Sequence, residues 1–354
     1  MCRGCVQTLV RTVSVRADRC GVVGAHGVPR RLAVSQNVNV DFVGNIKNRN
    51  FACPQQALPL VRTSWRGLLR LLIIYNVKEI IMTGYLSTDN KKITVKTFDS
   101  FKERGEKVSM LTAYDFTTAS IIDAGGVDSI LIGDSASNVM AGNADTLPIT
   151  VDQMIYHARS VARAVKHALV VCDMPFGSYQ VSVEQAVGNA VRMMKETGVD
   201  ALKLEGGEEI IGMVKGIINA GIPVCGHLGL TPQSIHKFGG YGLRAKSDAE
   251  AAKLISDAEK LDAAGCFAIV LEKVPAALAA EVTKRVSCVT IGIGAGNGTD
   301  GQVLVYADMM GMTHGFKPKF LRQYADLWDV MTHAVGKYVS DVKSSDFPNA
   351  GESY

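Results

Sequence analysis

The feature that most restricts the fold of this chain is a series of short apolar runs, nearly all leading into an ionisable or polar side chain. Strand-like runs occur at Val108–Thr112, Ser129–Ile132, Ala168–Val171, Ala201–Leu204, Ile222–Cys225, Phe267–Leu271 and Cys288–Ile291. At or just past the carboxyl ends of the first six stand, in order, Tyr114-Asp115, Asp134-Ser135, Asp173, Lys203 with Glu205, His227 and Glu272. The seventh run leads into Gly292-Ile-Gly-Ala-Gly-Asn297. Helical patterns lie between the runs. Ser182-Val-Glu-Gln185 and Ser247-Asp-Ala-Glu250 read as capping boxes, and Gly125-Gly126, Gly198, Gly221 and Gly265 close helices just before the next strand. Strand, helix, glycine and strand again is the grammar of a parallel sheet. Polar groups drawn from many successive strand ends build the active site of a (βα)8 barrel, whereas a doubly wound sheet gathers its site at one or two switch-point loops. The expected fold is α/β, a single (βα)8 TIM barrel over 92–342 with a polar tail at 343–354.

Residues 1–81 do not share this pattern. They carry twelve Lys/Arg against three Asp/Glu and show no sustained periodicity. The expectation is an irregular N-terminal extension, disordered or outside the native protein. A transit segment is one reading of it, and translation from Met82 is the favoured one because composition changes abruptly there. The apolar run Leu68–Tyr75 is too short to span a bilayer, so no membrane association is expected. The other 273 residues hold 26 basic and 31 acidic side chains, which speaks against nucleic-acid binding. Cys172, Cys225, Cys266 and Cys288 lie in or beside apolar runs, as small core residues of a reducing compartment do. Cys2-x-x-Cys5 has no second pair and carries little signal.

Lys203 and Glu205 are two apart on a strand, so both point to one side. They pair with each other or serve a ligand. Asp134 and Asp173 end equivalent apolar runs, and two neighbouring carboxylates share a proton or hold a cation unless one caps a helix. With Glu205 they suit a hard ion such as Mg²⁺. His227 stands between glycines as either a core residue or a substrate contact. Glu272 follows Ile269-Val-Leu271 and suits general-base work, or pairs with Lys203 or Lys273. Gly296-Asn-Gly-Thr-Asp-Gly301 matches G-x-G-x-x-G by letter but lacks the helix and acidic partner of a dinucleotide site. A barrel loop needing close backbone approach is expected there.

From about Lys92 to the C-terminus the chain resembles the ketopantoate hydroxymethyltransferase family. The carriers are Leu111-Thr-Ala-Tyr-Asp115, Gly133-Asp-Ser135, Thr146-Leu-Pro148, Asp173-Met-Pro-Phe176, Lys203-Leu-Glu-Gly-Gly207, Cys225-Gly-His-Leu-Gly-Leu-Thr-Pro-Gln-Ser234, Phe238-Gly-Gly-Tyr241 and Ile291-Gly-Ile-Gly-Ala-Gly-Asn297. The resemblance implies a Mg²⁺-dependent transfer of a hydroxymethyl group from 5,10-methylenetetrahydrofolate to 3-methyl-2-oxobutanoate, a step of pantothenate and coenzyme A synthesis. It implies Asp134, Asp173 and Glu205 at the metal, Asp134, Ser135, Asp173 and Lys203 at the 2-oxoacid, and Glu272 as proton acceptor. His227 and Tyr114 stand near the site as supporting or substrate contacts. A homo-oligomer, typically a decamer, and a cytoplasmic location also follow, or an organellar one if residues 1–81 are a transit segment. The rival is another Mg²⁺ barrel acting on 2-oxoacids, of the isocitrate lyase and phosphoenolpyruvate mutase group, but the catalytic cysteine loop of that group has no candidate here.

Overall fold

The structure, a computed structural model, describes residues 92–315 and 317–354. The expectations for residues 1–81, including the start at Met82 and the transit segment, lie outside the described residues. Eight parallel strands close into a barrel in sequence order: β1 (Val108–Thr112), β2 (Ser129–Ile132), β3 (Leu169–Asp173), β4 (Ala201–Glu205), β5 (Val224–Gly229), β6 (Ala268–Glu272), β7 (Val289–Ile293) and β8 (Gly301–Leu304). Helices of nine residues or more are α1 (Val95–Arg104), α2 (Phe116–Ala124), α3 (Val151–Ala164), α4 (Val183–Thr197), α5 (Ile211–Asn219), α6 (Asp248–Ala263), α7 (Ala276–Arg285) and α8 (Leu327–Lys343). Helices α2 to α7 follow strands β1 to β6 in turn.

Alternation along each strand sorts the side chains into two layers. Ile130, Val170, Leu202, Val224 and Ile269 join the core that includes helix residues such as Met154, Ala190 and Leu261. Val108, Met110, Leu131, Leu169, Val171, Ala201, Cys225, Ala268, Val270, Val289 and Ile291 fill a second core. Phe98 of α1 joins this second core and meets Phe267, just before β6, edge-on at 5.7 Å between ring centroids. The same period-2 columns continue into the charged residues. Leu169 and Val171 lead to Asp173, Ala201 leads to Lys203 and Glu205, Cys225 to His227, and Ala268 and Val270 to Glu272. The barrel is therefore apolar where its strands begin and charged where they end. The cysteines Cys172, Cys225, Cys266 and Cys288 are free and buried.

Several local expectations change. β5 runs on to Gly229 instead of stopping at Cys225. Gly226 looks like a strand breaker, yet a Cβ there would sit 2.9 Å from Leu261 Cδ1, so glycine is what lets α6 lie close on the strand. Ser182 and Ser247 do cap α4 and α6, accepting from the Gln185 and Glu250 amides at 3.2 and 3.3 Å. Neither is a reciprocal box, however: the Glu250 carboxylate takes Arg244 and the Lys246 amide instead of the Ser247 amide, and the Gln185 side chain does not reach back to the Ser182 amide. A reciprocal box forms at Thr150 and Gln153, heading α3. Helix α8 has no buried residue, so the last long helix adds nothing to the described core.

The eighth strand, Gly-Gln-Val-Leu, escaped the sequence pattern because it is short and half polar. The segment joining it to β7 holds no helix. Instead it runs tightly along α7: a Cβ at Gly296 would lie 2.5 Å from the Ala276 Cβ, and one at Gly298 2.7 Å from that of Ala280. Gly296 also has φ +77°, a left-handed conformation in which other residues are strained. The glycine spacing thus serves close packing of a return loop. Gly296→Ala is expected to destabilise the fold by about 1–3 kcal/mol through overpacking and backbone strain; urea unfolding followed by circular dichroism measures it, and an unchanged midpoint would refute the packing role.

Candidate active site

Barrel stagger brings the strand ends together as a staircase. Asp173 pairs in register with Lys203, Glu205 with His227, and Gly229 with Glu272. Side chains in register on adjacent parallel strands are neighbours, so charge is handed from β3 to β4 to β5 to β6 around the rim. The Asp134 amide donates to Asp173 Oδ2 at 2.9 Å, which draws the end of β2 into the group. Asp134, Asp173, Lys203, Glu205 and His227 are all at most 6% exposed.

Lys203 sits among the carboxylates. Its Nζ lies 3.1 Å from Asp173 Oδ1 and 3.7 Å from Glu205 Oε1. The internal ion pair considered as an alternative for Lys203 and Glu205 is thus present, inside a larger cluster. Burial pushes Lys203 down, but Asp173, Glu205 and Asp134 outweigh it and hold the ammonium above its ordinary value. Glu205 is also raised, pushed up to about 7 by burial, with Lys203 pulling it down and Asp173 pushing it up. Asp134 is raised well above its ordinary value by burial, then by Glu205 and Asp173. Three carboxylates against one ammonium leave this buried group short of positive charge.

His227 spans the cluster and the outer glutamate. Its Nδ1 is 3.1 Å from Lys203 Nζ, and because an ammonium only donates, Nδ1 accepts. The ring hydrogen then falls on Nε2, which faces Glu272 Oε2 at 3.4 Å but too obliquely for a full hydrogen bond. Burial first, and Lys203 second, hold the imidazole below its ordinary pKa, in the neutral form. Glu272 is the least buried of the group, with 18% of its side chain exposed. Neither lysine suggested as its partner holds it, since Lys203 faces the other carboxylates and Lys273 donates to the Tyr241 carbonyl.

Tyr114 is buried with its hydroxyl 2.8 Å from Ser135 Oγ. Asp115 is taken up as the N-cap of α2, accepting from Thr118 at 2.9 Å. The helices α3 and α4 that follow Asp134 and Asp173 are capped by Thr150 and Ser182, so neither aspartate has the capping role considered for it. Sequence reasoning missed Gln233 and Tyr179. The Gln233 Nε2 donates to Asp134 Oδ2 at 2.9 Å, and its backbone amide donates to Glu205 Oε2 at 2.9 Å. The Tyr179 hydroxyl lies 2.8 Å from Gln233 Oε1 and accepts from the Glu205 amide at 3.0 Å. Gln233 was quoted within a motif, but nothing local marks it as facing an aspartate 99 positions away. A separate cleft lined by Lys237, Phe238, Arg244, Lys253 and Asp257 lies beside α6 and includes none of the clustered charges.

The model of the ketopantoate hydroxymethyltransferase family matches residues 92–350. The chain belongs to that family. Among its relatives is the 3-methyl-2-oxobutanoate hydroxymethyltransferase of Bacteroides fragilis, 62% identical over 273 residues that cover 77% of this chain and all of the relative. The enzyme of the same name from Bacteroides thetaiotaomicron is 63% identical over the same shares. Among solved structures, phosphoenolpyruvate phosphomutase from Streptomyces platensis subsp. rosaceus aligns over 71% of this chain and 88% of its own, at 13% identity and a TM-score of 0.48.

The family resemblance implies a magnesium ion. Among the described residues, no three His, Cys, Asp or Glu side chains meet closely enough to hold an ion by themselves. Mg²⁺ does not require that, because it keeps several waters and takes one or two carboxylates plus substrate oxygens. Asp173 Oδ1 and Glu205 Oε1 are buried with no hydrogen bond of good geometry, and the one cation among the described residues that faces both is Lys203 Nζ, at 3.1 and 3.7 Å. Hard anionic oxygens that outnumber the ammonium beside them fit such an ion.

The raised Glu205 carboxyl has a consequence for stability. The native state holds this proton to higher pH than the unfolded chain does, so its contribution is complete below the ordinary value of 4.5 and is lost as pH rises through about 7. Calorimetry of metal-free protein should show a wild-type unfolding midpoint that falls relative to Glu205→Gln across that window. Parallel profiles for the two proteins would contradict the assignment.

Proposed function

We propose that this chain transfers a hydroxymethyl group from 5,10-methylenetetrahydrofolate to 3-methyl-2-oxobutanoate, giving 2-dehydropantoate for pantothenate synthesis. The observation that carries this reading is the separation of one glutamate from the other carboxylates. His227 stands between Glu272 and the Asp134–Asp173–Glu205 group, 3.4 Å from the first and 3.3 Å from Glu205. A base for carbon acids must stay free of cations, since a coordinated carboxylate is a weak base. The names and identities of the two bacterial relatives support the same choice of substrate.

Asp134, Asp173 and Glu205 would hold Mg²⁺, in part through its waters, and the ion when bound would supply a Lewis acid for the carboxylate and keto oxygens of the 2-oxoacid. Lys203 adds fixed positive charge where the substrate oxygens gain negative charge. Ser135, backed by the Tyr114 hydroxyl, lies next to Asp134 as a further substrate contact. Glu272 removes the proton from C3, with the neutral His227 ring between it and the other carboxylates, its Nε2 3.4 Å from Glu272 Oε2. The methylene carbon is joined to two folate nitrogens. Addition of water breaks both C–N bonds, leaves a hydrogen on each nitrogen and releases the carbon at the oxidation level of formaldehyde. The C3 carbanion then bonds to that carbon, and its oxygen, derived from water, takes up a proton to become the hydroxyl.

The homo-oligomer belongs to the same proposal, as a decamer. Its support is α8, where Trp328, Met331, Val335, Tyr338 and Val342 repeat at heptad spacing and are all exposed. Such a stripe suits burial against another helix. Sedimentation of the full chain should give a single species near ten subunits, and a monomer would refute the assembly.

The reaction is tested by NMR, following deuterium exchange at C3 of 3-methyl-2-oxobutanoate with Mg²⁺ and without folate. Wild type should exchange, EDTA should stop it, and Glu272→Gln should slow it by about 10²–10⁴-fold. Folded, Mg²⁺-supplied protein that neither exchanges nor turns over with folate would refute the function. Exchange that survives Glu272→Gln would move the base to another residue.

A further inference from the structure

The three carboxylates of the cluster differ from an ordinary ion-pair network in how their oxygens are used. One oxygen of each is held by a neutral donor. Asp173 Oδ2 accepts from the Asp134 amide, Glu205 Oε2 from the Gln233 amide, and Asp134 Oδ2 from the Gln233 side chain. The opposite oxygens of Asp173 and Glu205 are buried, make no hydrogen bond of good geometry, and face Lys203 Nζ at 3.1 and 3.7 Å. Two of these three restraints come from one residue.

The Gln233 amide is fixed in one orientation. Its Nε2 gives both hydrogens away, to Asp134 Oδ2 and to the Met174 carbonyl, each at 2.9 Å. Its Oε1 lies within hydrogen-bonding distance of two donors, the Tyr179 hydroxyl at 2.8 Å and Gln180 Nε2 at 3.1 Å. An amide has two hydrogens to give and two lone pairs to fill. Both hydrogens are used here, and Oε1 accepts from Gln180 and shares the one Tyr179 hydrogen with the Glu205 carbonyl, 3.0 Å from that hydroxyl. A flipped amide would set its NH₂ against Gln180 Nε2 and its oxygen against two acceptors. Gln233 is also 6% exposed, so water cannot replace these bonds.

We propose that Gln233 is a positioning residue of the 2-oxoacid and metal site, tying back one oxygen of Asp134 and one of Glu205 so that their other oxygens remain for the ligand. The inference rests on the reading of the site given under Proposed function. Its physical basis is charge. A lysine or arginine at this place would orient the carboxylates but cancel the negative charge that binds a cation. A neutral amide orients them and leaves that charge intact. It also ties the loop after β5 to the ends of β2, β3 and β4, the same strands that supply the carboxylates. Outer-shell hydrogen bonds of this kind change metal affinity by about 10–100-fold when removed.

The test uses the full chain as wild type, Gln233→Met and Tyr179→Phe. Methionine keeps length and volume but cannot donate to Asp134 or accept from Tyr179. Thermal unfolding reports folding, titration calorimetry with Mg²⁺ alone reports affinity, and C3 exchange is followed across Mg²⁺ concentration. Folded Gln233→Met should bind Mg²⁺ at least about 10-fold more weakly. Its half-saturating Mg²⁺ for exchange should rise by a similar factor, while the rate at saturating Mg²⁺ returns toward wild type. A general packing defect would lower that rate at every Mg²⁺ concentration. Tyr179→Phe removes the hydroxyl that holds Gln233 Oε1 and should weaken binding in the same direction, by less, and it serves as the test if the methionine variant does not fold. Wild-type affinity and wild-type Mg²⁺ dependence in a folded variant would overturn the role of Gln233 alone. Wild-type protein that neither binds Mg²⁺ nor exchanges C3 would overturn the functional reading, and this inference with it.

Discussion

Everything at the working end of this barrel depends on one buried ammonium. Lys203 lies among Asp173, Glu205 and the neutral His227 ring, in a place nearly closed to water. Removing a charge from water costs several kcal/mol even after relaxation, and here several charges are removed together. The cluster persists because its members compensate one another and because the two apolar layers beneath and around it supply the stability. The compensation is incomplete. Burial first, and then the excess of carboxylates over one ammonium, leave Asp134 and Glu205 with raised carboxyl pKa values, a pattern that concentrates at functional sites.

The geometry divides this charge into two regions with different work. Asp134, Asp173, Glu205 and Lys203 form the deep part, where positive and negative groups alternate. Glu272 stands at the outer edge, separated by an imidazole whose neutral form follows from burial and from the neighbouring lysine. A basic carboxylate and a cation-binding carboxylate group would interfere if they touched. The register of β5 against β6, with Glu272 opposite Gly229 rather than opposite His227, sets them apart by one step of the barrel. Backbone pairing therefore places Glu272 apart from the other three carboxylates.

The scaffold departs from strict alternation of strand and helix at one place, and packing accounts for it. Between β7 and β8 the chain returns as a glycine-rich loop pressed onto α7, where Ala276 and Ala280 leave no room for a Cβ. A strand as short as β8 is stabilised by pairing on both sides, to β7 and to β1. Its residues are unremarkable as a sequence, and closure of the barrel is what gives them their conformation.

Much of this protein was legible before any coordinates. Period-2 alternation and the β-branched runs placed the first seven strands to within a few residues. The same alternation put Lys203 and Glu205 on one side, and charged side chains at the ends of apolar runs marked Asp134, Asp173 and Glu272. These are local properties, carried by residues one to four positions apart. What tertiary structure alone decided is non-local. It made Asp115 a helix cap while Asp134 and Asp173 joined the cluster, kept Gly226 and His227 inside β5, formed β8, and set Gln233 against Asp134 and Glu205. Each of those outcomes depends on strand register and barrel closure, which join residues tens of positions apart through hydrogen bonds and contacts that no short stretch of sequence encodes.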